Sequence, residues 1–290
     1  MSFTSGQVIK PTVVGDILRS VLRSYDYGAG EMIVAVSSIK GGVGKSSLVI
    51  LLSNNLAARG YKVLVLDMDL NNTATIYYTV GIPNVQELWE RKNIVIALVQ
   101  GRAEENVVVS RIANVDVIPS SLSLCDMRGM DYRNLKRTID PLAEKYDYIL
   151  IDTSPTYDNL VKSAIHAADA VISPAEATEY NCNMALYLMT KIREEHPEKY
   201  PRTYIVFNRW NEGYEKWPNN LQSQVERMFR QNFSNILAVK IPQAGAFNKY
   251  THFDERLRVD DRNANTVRMV RAINSLADMV TNEEKFVGVF

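Results

Sequence analysis

From residue 32 onward, short apolar runs alternate with stretches whose apolar positions recur every three to four residues. The runs at 33–37, 62–66, 115–119, 148–151, 170–173, 203–207 and 236–241 predict strands. Several are apolar at every position, as in Tyr148-Ile149-Leu150-Ile151, which is expected of strands covered on both faces. Helical spacing predicts helices at 47–59, 134–145, 159–167 and 183–195. Strand–helix alternation of this kind predicts an α/β fold: a doubly wound, mostly parallel sheet with helices on both faces. Ahead of it, Val13, Val14, Ile17, Leu18, Val21 and Leu22 follow helical spacing until Tyr27-Gly28-Ala29-Gly30 stops the pattern. The expected organisation is a helical extension over 1–31, one domain over 32–281 and a short tail over 282–290.

Composition narrows the class. With 290 residues, 46% apolar and 23% charged, the chain can bury a substantial core and does not read as disordered. Lysine plus arginine balances aspartate plus glutamate at 33 each, so any nucleic-acid surface must be a local patch. Cys125 and Cys182 form no CxxC pair, which argues against a disulfide framework or a cysteine-based zinc site. His166, His196 and His252 lack ligand spacing and read as ordinary core or surface histidines. The N-terminus lacks a signal-peptide pattern, and no run approaches the roughly 20 apolar residues of a membrane-spanning helix. A cytoplasmic protein is expected.

Chemistry enters at residue 40. The run Ile33-Val34-Ala35-Val36-Ser37-Ser38-Ile39 leads directly into Lys40-Gly41-Gly42-Val43-Gly44-Lys45-Ser46-Ser47, and a helical pattern follows. Glycines allow a backbone to wrap phosphates with its N–H groups inward, and a helix N-terminus adds a favourable dipole. The setting is that of a phosphate loop binding ATP with Mg²⁺: Lys45 would reach the β- and γ-phosphates and the Ser46 hydroxyl would ligate the metal. Two strand ends offer carboxylates, Asp67-Met68-Asp69 after 62–66 and Asp152 after 148–151. Either set could simply cap the following helix, but ligands of doubly wound sheets gather at carboxyl strand ends.

The loop has Ile39 where the general pattern has its first glycine, and a second lysine, Lys40. On these residues the chain resembles the deviant Walker A family, which includes ParA partition ATPases, MinD division-site ATPases and nitrogenase iron protein. The resemblance implies that Lys40 contacts nucleotide across a dimer interface, so that two subunits sandwich two ATP molecules. It also implies that Asp69 orients the attacking water, Asp67 supports Mg²⁺ and the switch region, and Asp152 holds Mg²⁺ through water. Where ParA proteins usually continue Pro-Gln-Gly, this chain has Leu70-Asn71-Asn72. Val115-Asp116-Val117-Ile118-Pro119-Ser120 resembles the strand before the second acidic motif, and the segment from Pro174 to Tyr180 is similar to Pro-x-Gln-x-Glu-Tyr with one residue inserted. Phe207-Asn208-Arg209 and Ile241-Pro242-Gln243 match the two places where the family holds adenine, although a plain strand-end turn would also account for Asn208 and Pro242.

The function so implied is ATP-dependent segregation of plasmid or chromosomal DNA. A homodimer would form on ATP and bind DNA without sequence preference. A ParB-like centromere-binding partner would stimulate hydrolysis, and the ATP-bound form would associate with the nucleoid. Lys249, Arg262, Arg268 and Arg271 are the candidate DNA contacts, diluted by Asp254, Glu255, Asp260 and Asp261. A relative that positions a protein cargo would share every site residue. A MinD-like protein should end in a basic amphipathic helix, whereas this chain ends Asn282-Glu283-Glu284-Lys285-Phe286-Val287-Gly288-Val289-Phe290.

Overall fold

The continuously apolar runs form the middle of one sheet. The computed structural model describes residues 32–211, 213, 220–233, 236–243 and 264–281. The predicted N-terminal helix, the tail after 281, Lys249 and Arg262 lie outside the described residues. The strands are β1 (Met32–Val36), β2 (Val63–Met68), β3 (Val108–Val109), β4 (Val115–Ile118), β5 (Tyr148–Thr153), β6 (Ala170–Ala175), β7 (Thr203–Trp210) and β8 (Ile236–Pro242). Their order is β3-β4-β2-β5-β1-β6-β7-β8, and every neighbouring pair is parallel except β3–β4. The two-residue β3 has no sequence signature of its own; it closes the β4 edge with an antiparallel pair.

The helices are α1 (Lys45–Ala58), α2 (Thr73–Thr79), α3 (Val85–Arg91), α4 (Ile94–Gln100), α5 (Asn134–Ile139), α6 (Asn159–Ala167), α7 (Glu179–Glu195), α8 (Leu221–Asn232) and α9 (Ala264–Thr281). The helix expected over 134–145 stops being α-helical at Ile139. Pro141, which cannot donate a backbone hydrogen bond, sits in the first positions of a 3₁₀ segment over Asp140–Lys145. The stretch expected at 183–195 begins at Glu179, because Thr178 accepts a capping hydrogen bond from the Asn181 N–H.

Alternate strand residues feed two cores. Val34, Val36, Val63, Val65, Leu150 and Ile172 pack with α1 and α9, while Ile33, Ala35, Leu64, Leu66, Ile149 and Ile151 pack with α4, α5 and α6. A third cluster joins Phe207, Trp210, Val225 and Phe229 around α8. The five-residue run Leu48–Leu52 of α1 is buried throughout, because the helix is covered by α2 and α9 as well as by the sheet. Asn55 donates to Asn274 Oδ1 at 2.6 Å, and Arg59 pairs with Asp278 at 2.6 Å, tying α1 to α9. The site-bearing helix is therefore fixed from several sides.

Leu52→Ala should destabilise the fold by about 2–5 kcal/mol through lost burial and the cavity left behind. Urea denaturation should show a lower midpoint with an unchanged slope; an unaltered midpoint would mean that the packing around α1 collapses to fill the gap.

Candidate functional site

At the carboxyl end of β1 the chain turns through Lys40 and into α1. Gly42 (φ 77°) and Gly44 (φ 94°) adopt left-handed backbone conformations that a side chain would strain. Gly44 also caps α1 with no side-chain hydrogen bond, leaving the first N–H groups of the helix for an anion. Val43 is buried beneath the loop, and Gly41 faces Pro155 from the end of β5. The carboxamide of Asn208 donates to the Val43 carbonyl at 2.7 Å and accepts from the Arg209 N–H at 2.9 Å. Thus Asn208 braces the phosphate loop from β7, a contact across 165 positions that no spacing could reveal. Arg209 itself takes φ 53° and pairs with Glu176 at 2.7 Å. Pro242 is buried at the end of β8 beside Trp210, whose carbonyl accepts from the Gln243 N–H at 2.9 Å.

The aspartates meet the loop by strand register. Asp67 and Asp152 are direct partners on β2 and β5, and Val36 at the end of β1 is the other partner of Asp152. Asp67, Asp69 and Asp152 are all buried, as is the Lys45 side chain. Lys45 thus lies within electrostatic reach of Asp152 and Asp69, away from water. Burial lowers the pKa of Lys45 while Asp152 and Asp69 raise it. Burial raises the Asp67 pKa to about 6, against the lowering effect of the hydrogen bonds it accepts from Thr75 and Asp69 and with a smaller upward push from the Asp69 charge. Asp152 is raised well above the usual carboxylate range by burial and by Asp67, against a smaller opposing influence from Ser46.

The carboxylates are held differently. Asp67 accepts from the Asp69 N–H at 3.1 Å, and from the N–H and hydroxyl of Thr75 at 2.7 Å each. Thr75 in turn accepts from the Ser120 N–H at 2.8 Å, and the Ser120 hydroxyl donates to the Asp69 carbonyl at 2.8 Å. Asp67 is therefore engaged chiefly in fixing the segment after β2. The Asp69 carboxylate accepts from the Asn71 N–H and amide at 3.1 Å each. Asp152 differs from both: although Ser46 lies close enough to influence its pKa, neither of its oxygens has a hydrogen-bond partner of normal geometry. A buried carboxylate with two unpartnered oxygens, beside a hydroxyl and two further carboxylates, is a donor set suited to Mg²⁺.

Two departures from the family wording acquire a physical reading. Asn72 stands where glycine is usual, at φ 53°, a left-handed conformation asparagine tolerates better than most residues. The turn is kept without the glycine. Lys40 is half-buried, with its ammonium 5.1 Å from the ring centroid of Tyr180, an exposed residue of the first turn of α7. Arg268 and Arg271 both lie exposed on α9.

The model of the AAA domain family matches residues 31–201. The chromosome partitioning protein ParA of Caulobacter vibrioides is 27% identical over 237 residues, covering 75% of this chain and 85% of that protein. The maintenance of carboxysome distribution protein A of Synechococcus elongatus is 28% identical over 162 residues, covering 56% of this chain and 64% of that protein, so the match spans less than two thirds of its length. Among solved structures, a putative plasmid partition protein of Borrelia burgdorferi B31 bound to AMPPNP superposes with a TM-score of 0.69. Its identity is 24%, over 85% of this chain and 98% of that one, and it shares the fold. No helix among the described residues is long and apolar enough to cross a membrane.

The buried charges have a pH signature. In the unfolded chain Asp152 ionises near the ordinary value of about 3.9; in the fold it keeps its proton to higher pH. The folded state then binds more protons than the unfolded one, so stability falls as pH rises from about 4 through the raised pKa. Without nucleotide or Mg²⁺, Asp152→Asn should therefore gain stability over the parent protein between pH 4 and pH 7.5. Urea melts at the two pH values measure this, and a pH-independent difference would show that Asp152 ionises normally.

Proposed function

The chain belongs to the AAA domain family as a ParA-type P-loop ATPase, and we propose that it binds Mg·ATP, dimerises on it and uses its hydrolysis to segregate DNA. The observation that carries the nucleotide reading is the unpartnered, buried Asp152 facing Lys45 and Ser46 at the mouth of the loop. Gly41, Gly42, Val43, Gly44, Ser46 and Ser47 supply the cradle, and Lys45 neutralises the β- and γ-phosphates. Ser46 and Asp152 would hold Mg²⁺, with Asp67 supporting them through the segment it anchors. Bound there, Mg²⁺ would neutralise phosphate charge and the excess of buried carboxylate.

Asp69 orients the attacking water in this reading, and its ties to Asn71 and Ser120 keep its position. Lys40 leaves Tyr180 and reaches the triphosphate of a second copy. Asn208 contributes in two ways: it steadies Val43 and presents the rest of its carboxamide to adenine, with Pro242 flanking the base. Arg268 and Arg271 provide phosphate contacts for non-specific DNA binding, joined by Lys249 and Arg262. A ParB-like partner accelerates hydrolysis and releases the dimer. The likeness to a carboxysome distribution protein supports a second reading, in which the same cycle positions a protein cargo.

Lys40→Ala should bind ATP as a monomer with little loss, yet fail to form the ATP-dependent dimer and fail to retard DNA. Light scattering and gel retardation at one fixed salt concentration, with ATP, ADP or no nucleotide, test this. Full dimerisation of the variant would refute the cross-subunit role of Lys40, whereas a normal parental dimer that ignores DNA would favour cargo positioning. Asn208→Ala should weaken ATP binding several-fold and reduce the preference for ATP over GTP. Competition against labelled ATP measures both, and an unchanged preference would confine Asn208 to bracing the loop.

A further inference from the structure

Helices α6 and α7 each run from the carboxyl edge of the sheet back toward its amino edge, so their C-termini lie on the side away from the phosphate loop. Two histidines thirty positions apart meet there. His166 lies in the last turn of α6, and His196 caps α7 at its C-terminus. Glu198 follows in a turn closed by the Lys199 N–H donating to the His196 carbonyl at 2.9 Å. One imidazole nitrogen from each histidine and one carboxylate oxygen of Glu198 all fall within 4.8 Å of one another. The Tyr132 ring packs edge-on against both imidazoles, at centroid distances of 5.2 and 5.4 Å. No hydrogen bond among the described residues engages either imidazole.

We propose that His166, His196 and Glu198 form a binding site for a divalent transition metal of the zinc class, which clamps the C-terminus of α6 to that of α7. Two imidazoles and one carboxylate are an established donor set for Zn²⁺, with water completing four-coordination. Metal–ligand bonds of about 2.0–2.2 Å place tetrahedral ligands about 3.3 Å apart. The half-buried His166 and the exposed Glu198 are the two ligands free to rotate inward and close the remaining distance, while His196 is buried and fixed. The site also stands at two helix C-termini, whose carbonyl ends carry partial negative charge and favour a cation.

Nearby cations oppose this, and their placement decides the balance. Lys136 pairs with Asp140, Arg133 with Asp131, and Lys162 with Glu195. Lys199 is held by the Ala168 carbonyl at 2.8 Å. Each already has an acceptor of its own, so none competes for Glu198 by direct pairing. Burial lowers the pKa of both histidines, which keeps them in the neutral form a metal requires.

The test uses the full chain, freed of metal with a chelator and kept in millimolar Mg²⁺ and a non-thiol reductant. Co²⁺ serves as the spectroscopic probe and Zn²⁺ as the competitor. The expected result is one tightly bound Co²⁺ per chain with visible d–d absorption of a four-coordinate nitrogen–oxygen site, displaced by Zn²⁺. His166→Gln and Glu198→Gln, both at accessible positions, should each weaken Co²⁺ binding at least tenfold while leaving ATP binding unchanged. Zn²⁺ should raise the melting temperature of the parent protein and not that of His166→Gln. Equal Co²⁺ affinity in parent and variants, or a thiolate charge-transfer band, would overturn the proposal and leave the three residues as an aromatic-packed turn.

Discussion

Burying three neighbouring carboxylates with a single ammonium near two of them is unfavourable in the isolated fold, and much of the architecture follows from tolerating it. An ionised carboxylate without partners deep in a protein is stable only if it takes up a proton or a cation. Here Asp67 and Asp152 face each other because β2 and β5 are adjacent and in register, and Lys45 alone cannot balance them and Asp69. The protein offsets the excess partly by hydrogen bonding, which Asp67 receives from Thr75 and the Asp69 backbone. Asp152 receives no such help. A metal bound with polyphosphate would satisfy its two buried, unpartnered oxygens, so the cost of burying that carboxylate and its affinity for a cation have one origin.

That arrangement needs a rigid frame, because a charge displaced by an ångström loses its partner to water. Asn208 reaches Val43 from β7, Ser120 reaches Asp69 from the end of β4, and α1 is locked to α9 through Asn55 and Arg59. Each tie joins parts of the chain far apart in sequence. The loop and the acidic segment after β2 are consequently held from opposite sides of β1, which occupies the sheet between β5 and β6.

Residue pattern carried the central strands, the phosphate loop and the acidic strand ends, since each depends on local chemistry: apolar runs, glycines at left-handed positions and carboxylates after buried strands. Its limits were also physical. The β3 pair is two residues long and takes its identity from the edge it closes. The early stop of α5 depended on Pro141 acting inside an otherwise helical pattern. Asn208 could be singled out from its strand-end setting, but its grip on Val43 arises only when β7 is placed near β1. Likewise His166 and His196 have no ligand spacing along the chain, because two separate helices had to end at one place before their side chains met.

The contact between Lys40 and Tyr180 is weak enough to break and re-form continually. An exposed cation–π contact is worth about 0.5–1 kcal/mol, so roughly a sixth to a third of molecules would have the lysine free at any moment. Exposed side chains exchange between rotamers in picoseconds to nanoseconds, far faster than two proteins meet. Were Lys40 to serve a second copy, the ring would therefore leave the rate of encounter untouched. It would act on the equilibrium instead, weakening the pairing about three- to six-fold per lysine, a penalty that loss of the aromatic ring would lift.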